Sequence, residues 1–146
     1  MKTRSWISNL INLILLLFLI VMKENVDKLA LDSYYKFNSS SLICYTVISI
    51  LLGLCIGLFL GLEHFTNEIG KGGIWKINLP KLILIGIPSF YFSLANVWIF
   101  SGSKFLLNII AFPLIHFLGF GSSYISLFQI VLGFTVITSF YMVKNN

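Results

Sequence analysis

The sequence predicts an all-α integral membrane protein: a four-helix bundle with one short re-entrant or interfacial hairpin. Three observations lead there. Of its 146 residues, 58% are hydrophobic and only 10% are charged, whereas a soluble domain carries about a quarter charged residues. Apolar runs long enough to cross a bilayer recur at about 5–22, 42–62, 81–100 and 123–143, with a shorter run at 105–120. Through the second run Ser49, Gly53, Gly57 and Gly61 recur at every fourth residue. Lipid tails are as apolar as Leu, so membrane helices associate by close backbone approach, and stripes of small residues supply it. The chain reads as a single transmembrane domain over 1–146 with this stripe as a helix-packing seam.

The formal charge of +5 is spread over every loop and end, without a basic stripe or a nucleic-acid recognition fold. Nucleic acid is therefore not an expected partner. The Lys and Arg residues serve orientation and headgroup contact instead. The wealth of Lys, Asn, Ile and Phe suggests an AT-rich bacterial genome. Cys44 and Cys55 stand about 16 Å apart along one helix, too far to pair with each other, and read as small buried hydrophobes.

The first run opens on Lys2 and Arg4 and stays largely apolar to Met22, the outline of a secretory signal. It lacks a cleavage site, because the only small residue in position, Ala30, has Lys28 before it. An uncleaved first helix with its amino end inside is expected. Trp6 would sit at the interface, with Ser5, Ser8 and Asn12 on one inward face. Over 23–36 the charges pair at helical spacing, Lys23 with Asp27, Glu24 with Lys28 and Asp32 with Lys36. With Val26, Leu29, Ala30, Ser33 and Phe37 on its less polar side, this segment reads as a solvated connector helix, lying on the membrane or prolonging the first helix. Asn38 to Ser41 are cap-type residues for the next helix.

The second helix is expected to end at Glu63 and His64, followed by a loop over 65–79. In that loop Gly70-Lys71-Gly72-Gly73 reads as a flexible turn. A phosphate-binding loop would need longer spacing, Ser or Thr after the Lys, and a preceding strand. Pro80 suits the start of the third helix, and Gly86 and Pro88 predict a kink within it. Ser89, Ser93 and Asn96 fall at i, i+4 and i+7 and turn inward, for hydrogen bonds between helices or, alternatively, to line a cavity.

The run 105–120 is interrupted by Asn108, Pro113 and His116 and is short for a span. With four spans and the amino end inside, Lys2, Arg4, Lys71, Lys76, Lys81 and Lys144 face inward, six cations against four. Five spans would give five against five, so the positive-inside rule favours four. The last helix places Ser126, Gln129 and Gly133 on one face, and Gln129 near midmembrane demands a hydrogen bond.

The sequence offers no catalytic constellation. All five carboxylates, Glu24, Asp27, Asp32, Glu63 and Glu68, lie outside the expected spans, where proton-coupled carriers keep an ionisable group. Only His116 would qualify. Glu63, His64 and Glu68 lack zinc-site spacing, and His64 and His116 fall near opposite faces, which argues against haem. No Ser has a paired His and Asp. Neither an enzyme nor a bound metal or cofactor is expected.

Trp75-x-x-Asn78 with Lys81-Leu82, then Gly86-x-Pro88-Ser89, and later Leu132-Gly133 with Ile137-Thr138-Ser139-Phe140 resemble a group of small uncharacterised polytopic membrane proteins of Gram-positive bacteria. The resemblance covers roughly the second half of the chain and implies topology, not activity. The expected protein is a multi-pass component of a bacterial cytoplasmic membrane with both termini inside. It would be a non-enzymatic accessory subunit of a membrane complex or a homo-oligomer, its partners being the lipid bilayer and membrane proteins. The alternative is a small solute carrier or channel with a polar path formed by Ser89, Ser93, Asn96, Ser126 and Gln129.

Overall fold

In the computed structural model, which describes residues 2–100 and 123–143 together with Phe105 and Asn108, the chain is mostly helical. Apart from Phe105 and Asn108, the hairpin expected over 105–120 lies outside the described residues, as do His116, Lys144 and the side chains of Trp6, Ser5 and Ser8. Among the described residues one helix, Ser40–Ile69, is long and apolar enough to cross a membrane, with a mean hydropathy of 2.5. The chain divides into two compact units, Met1–Leu52 and Gly53–Asn146.

The first unit is a helical hairpin. Helix α1 (Lys2–Tyr35) is unbroken, so the first span and the connector are one helix. Helix α2 (Ser39–Ile69) follows after a tight turn. At that turn Asn38 N–H bonds to Ser33 O at 3.0 Å and Phe37 N–H to Tyr34 O at 3.1 Å, the double closure of a Schellman motif. Phe37 takes the left-handed position at φ 54, where glycine is usual. The Asn38 side chain then caps α2 by accepting from Ser41 N–H at 3.3 Å.

Lys23 and Ser33 on α1 are buried, with Val26, Asp27 and Ala30 half-buried between them. In the part of α2 that belongs to this unit, the described buried positions are Leu42, Thr46 and Ser49. Both sets follow helical spacing, so each defines one face. Asn12 is exposed rather than turned inward, Leu29 and Phe37 on the less polar side are exposed, and Cys44 and Cys55 are exposed rather than buried.

In the second unit α2 continues to Ile69, beyond the expected stop at Glu63 and His64. Gly70 to Gly73 form the turn, with Gly72 at φ 60, and the expected loop then gives way to strand β1 (Ile74–Ile77). Asn78 caps a short helix α3 (Leu79–Lys81), its side chain accepting from Lys81 N–H at 3.2 Å, with Pro80 in the first turn. A π-helical turn over Leu82–Gly86 leads into α4 (Ile87–Ser93). Pro88 explains it: the ring displaces the carbonyl four residues earlier and offers no N–H, so the backbone widens just before it. A second break at Leu94 separates α4 from α5 (Ala95–Phe100). Helix α6 (Ser123–Thr138) ends earlier than expected, and the chain continues as β2 (Phe140–Val143).

Strands β1 and β2 pair antiparallel in the register Ile74 with Val143 and Ile77 with Phe140. The helical ends above the ribbon are closed by specific bonds. Thr135 O accepts from Ser139 Oγ at 2.6 Å, Thr138 O from Lys81 Nζ at 3.3 Å, and Ser139 O from Asn78 N–H at 2.8 Å. These account for terminal carbonyls that a helix end otherwise leaves unpaired, and the Lys81 cation suits the negative end of α6. Glu68 accepts from Met142 N–H at 3.0 Å and pairs with Lys71, and Phe65 stacks on Trp75 at 5.2 Å.

The closest contact in this unit is between α2 and α6. A Cβ on Gly57 would lie 2.9 Å from Gly133 Cα and 2.7 Å from Phe134 N, against the Ile130 carbonyl. A Cβ on Gly133 would lie 3.1 Å from Gly57 Cα, against the Leu54 carbonyl. Each glycine thus faces a carbonyl of the opposite helix, the arrangement in which Cα–H groups meet C=O across a helix pair. At Gly53 a Cβ would come within 2.6 Å of Gln129 Cβ, and at Gly61 it would run into Ile137. On another side α6 meets α4 and the start of α5, with Phe92 stacked on Phe128 at 4.5 Å and Ala95 and Ile125 buried together.

Gly57→Ala should therefore lower stability by about 1–3 kcal/mol, the usual cost of overpacking a tight site. Gly86→Ala, whose nearest neighbour would be 3.7 Å away, should stay within about 0.5 kcal/mol of the parent or gain slightly. Unfolding of both variants by SDS titration in mixed micelles, followed by circular dichroism, compares them. Equal stabilities would refute the tight α2–α6 contact.

Candidate functional site

Two polar clusters are buried, one in each unit. In the first unit Lys23 is 4% exposed. Its Nζ donates to Ser49 Oγ at 2.7 Å, Ser49 O at 3.3 Å and Asp27 Oδ2 at 3.2 Å. The Ser49 hydroxyl donates in turn to Asp27 Oδ1. The ammonium thus finds an acceptor for each of its three protons, which is the condition for burying it at tolerable cost.

The i, i+4 pairings Lys23–Asp27, Glu24–Lys28 and Asp32–Lys36 are all formed. Only the first is anything but solvated. Its contact with Ser49, well inside the 42–62 apolar run, corrects the expectation that this segment is a solvated connector. The spacing along α1 was visible in sequence; the α2 residue it meets, 22 and 26 positions away, was not. Ser49 thus differs from the rest of its stripe: it is engaged by charged groups of α1, while Gly53, Gly57 and Gly61 lie against α6.

In the second unit the expected polar face is partly gathered around Gln129. Ser89, Ser93 and Gln129 are 1–2% exposed, while Asn96 and Ser126 are half-buried. Gln129 Nε2 donates to Ser93 O at 3.4 Å. That acceptor lies where the helix breaks at Leu94, so a side chain from α6 takes up a carbonyl at the end of α4. The Ser93 hydroxyl donates to Phe90 O at 2.8 Å within its own helix. Gln129 Oε1, pressed against Gly53, has no hydrogen-bond donor among the described residues. Ser139 and Thr135, the latter not singled out from the sequence, are equally buried, and Ser139 bonds back to Thr135 O.

Glu63 is exposed, Glu68 is committed to Lys71 and Met142, and His64 Nε2 is buried without a partner among the described residues. Among the described residues no three His, Cys, Asp or Glu side chains are grouped to hold a metal ion. With this geometry in view, comparison with protein families, with curated proteins and with solved structures finds no match for the chain.

Lys23→Ala removes the buried donor of three hydrogen bonds and should destabilise the protein by about 1–3 kcal/mol, the usual cost of leaving buried acceptors unsatisfied. Lys28→Ala removes a solvated pair of 2.8 Å with both side chains more than 60% exposed and should change stability by at most about 0.5 kcal/mol. SDS unfolding titrations of the two variants give the comparison. Similar small losses would mean that the Lys23 cluster contributes nothing beyond an exposed pair.

Proposed function

We propose that this chain is a multi-pass protein of a bacterial cytoplasmic membrane with a non-enzymatic role, as an accessory subunit of a membrane complex or as a homo-oligomer. The observation that carries the reading is α1. From Leu10 to Met22 its apolar side chains are exposed on every side of the helix, with only Leu16 and Leu19 half-buried. A helix apolar all round needs lipid or a protein neighbour over its whole circumference. The polar side chains Lys23, Lys81 and Glu68, by contrast, are bound within the chain.

Pairing of β1 with β2 supports the topology. Two strands in one ribbon lie on the same side of a membrane, so the chain between Asn78 and Ser139 crosses an even number of times. A pair of crossings, one through α3 to α5 and one through α6, meets that condition. With α1 and α2 the total is four and both termini lie on one side, which the distribution of Lys and Arg makes the cytoplasmic one. Since Gly53, Gly57 and Gly61 are occupied by α6, the surface for a partner is α1, and Gly57→Leu would act on the fold before it acted on assembly.

A second reading, a small solute carrier or channel, draws on one observation: Gln129 Oε1 is buried without a donor among the described residues. In that case Ser89, Ser93, Asn96, Ser126 and Gln129 line the path, and Asn96→Leu and Gln129→Leu abolish flux in liposomes.

Purification in mild detergent with native mass spectrometry tests the first reading. A stoichiometric partner or a defined oligomer, lost when Leu13 and Leu17 are both changed to Trp, is the expected result. A monomer that carries only lipid would overturn it, and a monomer retaining one defined small solute would favour the carrier.

A further inference from the structure

The β1–β2 ribbon occupies a particular place in the chain. It follows α2 after a four-residue turn, leads at Asn78 directly into α3, and receives the end of α6. In β1 all four residues are exposed, Ile74 at 57%, Trp75 at 41% and Ile77 at 48%, and Leu79 just beyond is 57% exposed. Residues of a strand alternate between faces. Trp75 is on the face that stacks on Phe65, so Ile74 and Lys76, with their cross-strand partners Val143 and Tyr141, make up the opposite face.

That outward face combines a lysine, a tyrosine and two branched apolar residues, the mixture found where a protein meets the headgroup layer. The charge is one-sided. Between Gly70 and Leu82 stand Lys71, Lys76 and Lys81 and no carboxylate. Lys71 is bound to Glu68 and Lys81 to Thr138, while Lys76 has no carboxylate partner among the described residues. The sheet has two strands among the described residues, so the outer edge of β1 keeps backbone N–H groups that require polar acceptors and bar it from hydrocarbon.

We propose that this ribbon is an interfacial anchor that docks on anionic phospholipid headgroups, with Lys76 meeting the lipid phosphate and Ile74 and Val143 entering the acyl boundary. The proposal rests on the membrane reading above, which requires the ends of α2 and α6 to lie at the bilayer surface. A single surface lysine near an anionic leaflet implies an enrichment of anionic over zwitterionic lipid of about fivefold.

The test uses the full chain with Cys44→Ser, Cys55→Ser and Ile74→Cys, labelled with bimane and placed in nanodiscs of equal parts phosphatidylglycerol and phosphatidylcholine. Bromination of one lipid or the other in turn reports which headgroup lies beside the ribbon. Stronger quenching by brominated phosphatidylglycerol is expected, equalised by Lys76→Gln, retained by Lys76→Arg and unaffected by Lys28→Gln. Equal quenching by the two lipids in the parent chain, or a preference that survives Lys76→Gln, would overturn the anchor. A label at Leu58→Cys keeps the two questions apart: if neither brominated lipid quenches it, the membrane reading itself is wrong, whatever the ribbon does.

Discussion

Two helix backbones in contact, with no side chain between them, set the geometry of the second unit. Because Gly57 and Gly133 face each other's helices with no room for a Cβ at either, α6 packs closely on α2 there. Helix diameters are mostly side chain, so one larger residue at either position would push α6 outward along its length. Other contacts depend on that depth. Gln129 sits against Gly53 and still reaches Ser93, and the end of α6 meets Lys81 and Asn78. The same approach removes the glycine stripe from the outer surface.

Polar groups in this chain are handled by two different means. Hydroxyls of Ser93, Thr138 and Ser139 donate back to nearby backbone carbonyls, at 2.6–2.8 Å, and as donors add little between helices. Lys23 and Lys81, whose charges are far more costly to bury, are instead bound to other segments, at Ser49 and Thr138 respectively. Net hydrogen-bond contributions of about 1 kcal/mol are modest against the desolvation of an ammonium. The cations are thus the groups whose placement depends most on the surrounding fold, and each ties together two parts of its own unit.

What could be read in advance follows the range of the cause. Helical class, the cap at Asn38, the first-turn Pro80 and the disturbance at Pro88 are local effects of a few neighbouring residues, and all are present. The length of α2 past His64 was hidden because Glu63 and Glu68 resemble a helix end; Glu68 stays helical because its carboxylate binds Met142 on a strand from the far end of the sequence. The ribbon was invisible for the same reason, since neither Ile-Trp-Lys-Ile nor Phe-Tyr-Met-Val is distinctive without its partner. For the polar clusters, spacing placed Ser93 and Gln129 on inward faces, but the link between Lys23 and Ser49 depends on the register of a helical hairpin, which no local pattern encodes.

The pairing of β1 with β2 also orders events during synthesis. Ile74 must wait for Val143, and at ribosomal speeds of about 5–20 residues per second that gap lasts several seconds. During it Glu68 lacks its bond to Met142, Asn78 lacks Ser139, and β1 is a bare apolar strand beside a finished helix. A chain truncated anywhere before Phe140 would hold that state permanently. The ribbon is thus the part of this unit that closes last, and the bonds at Glu68 and Asn78 close with it.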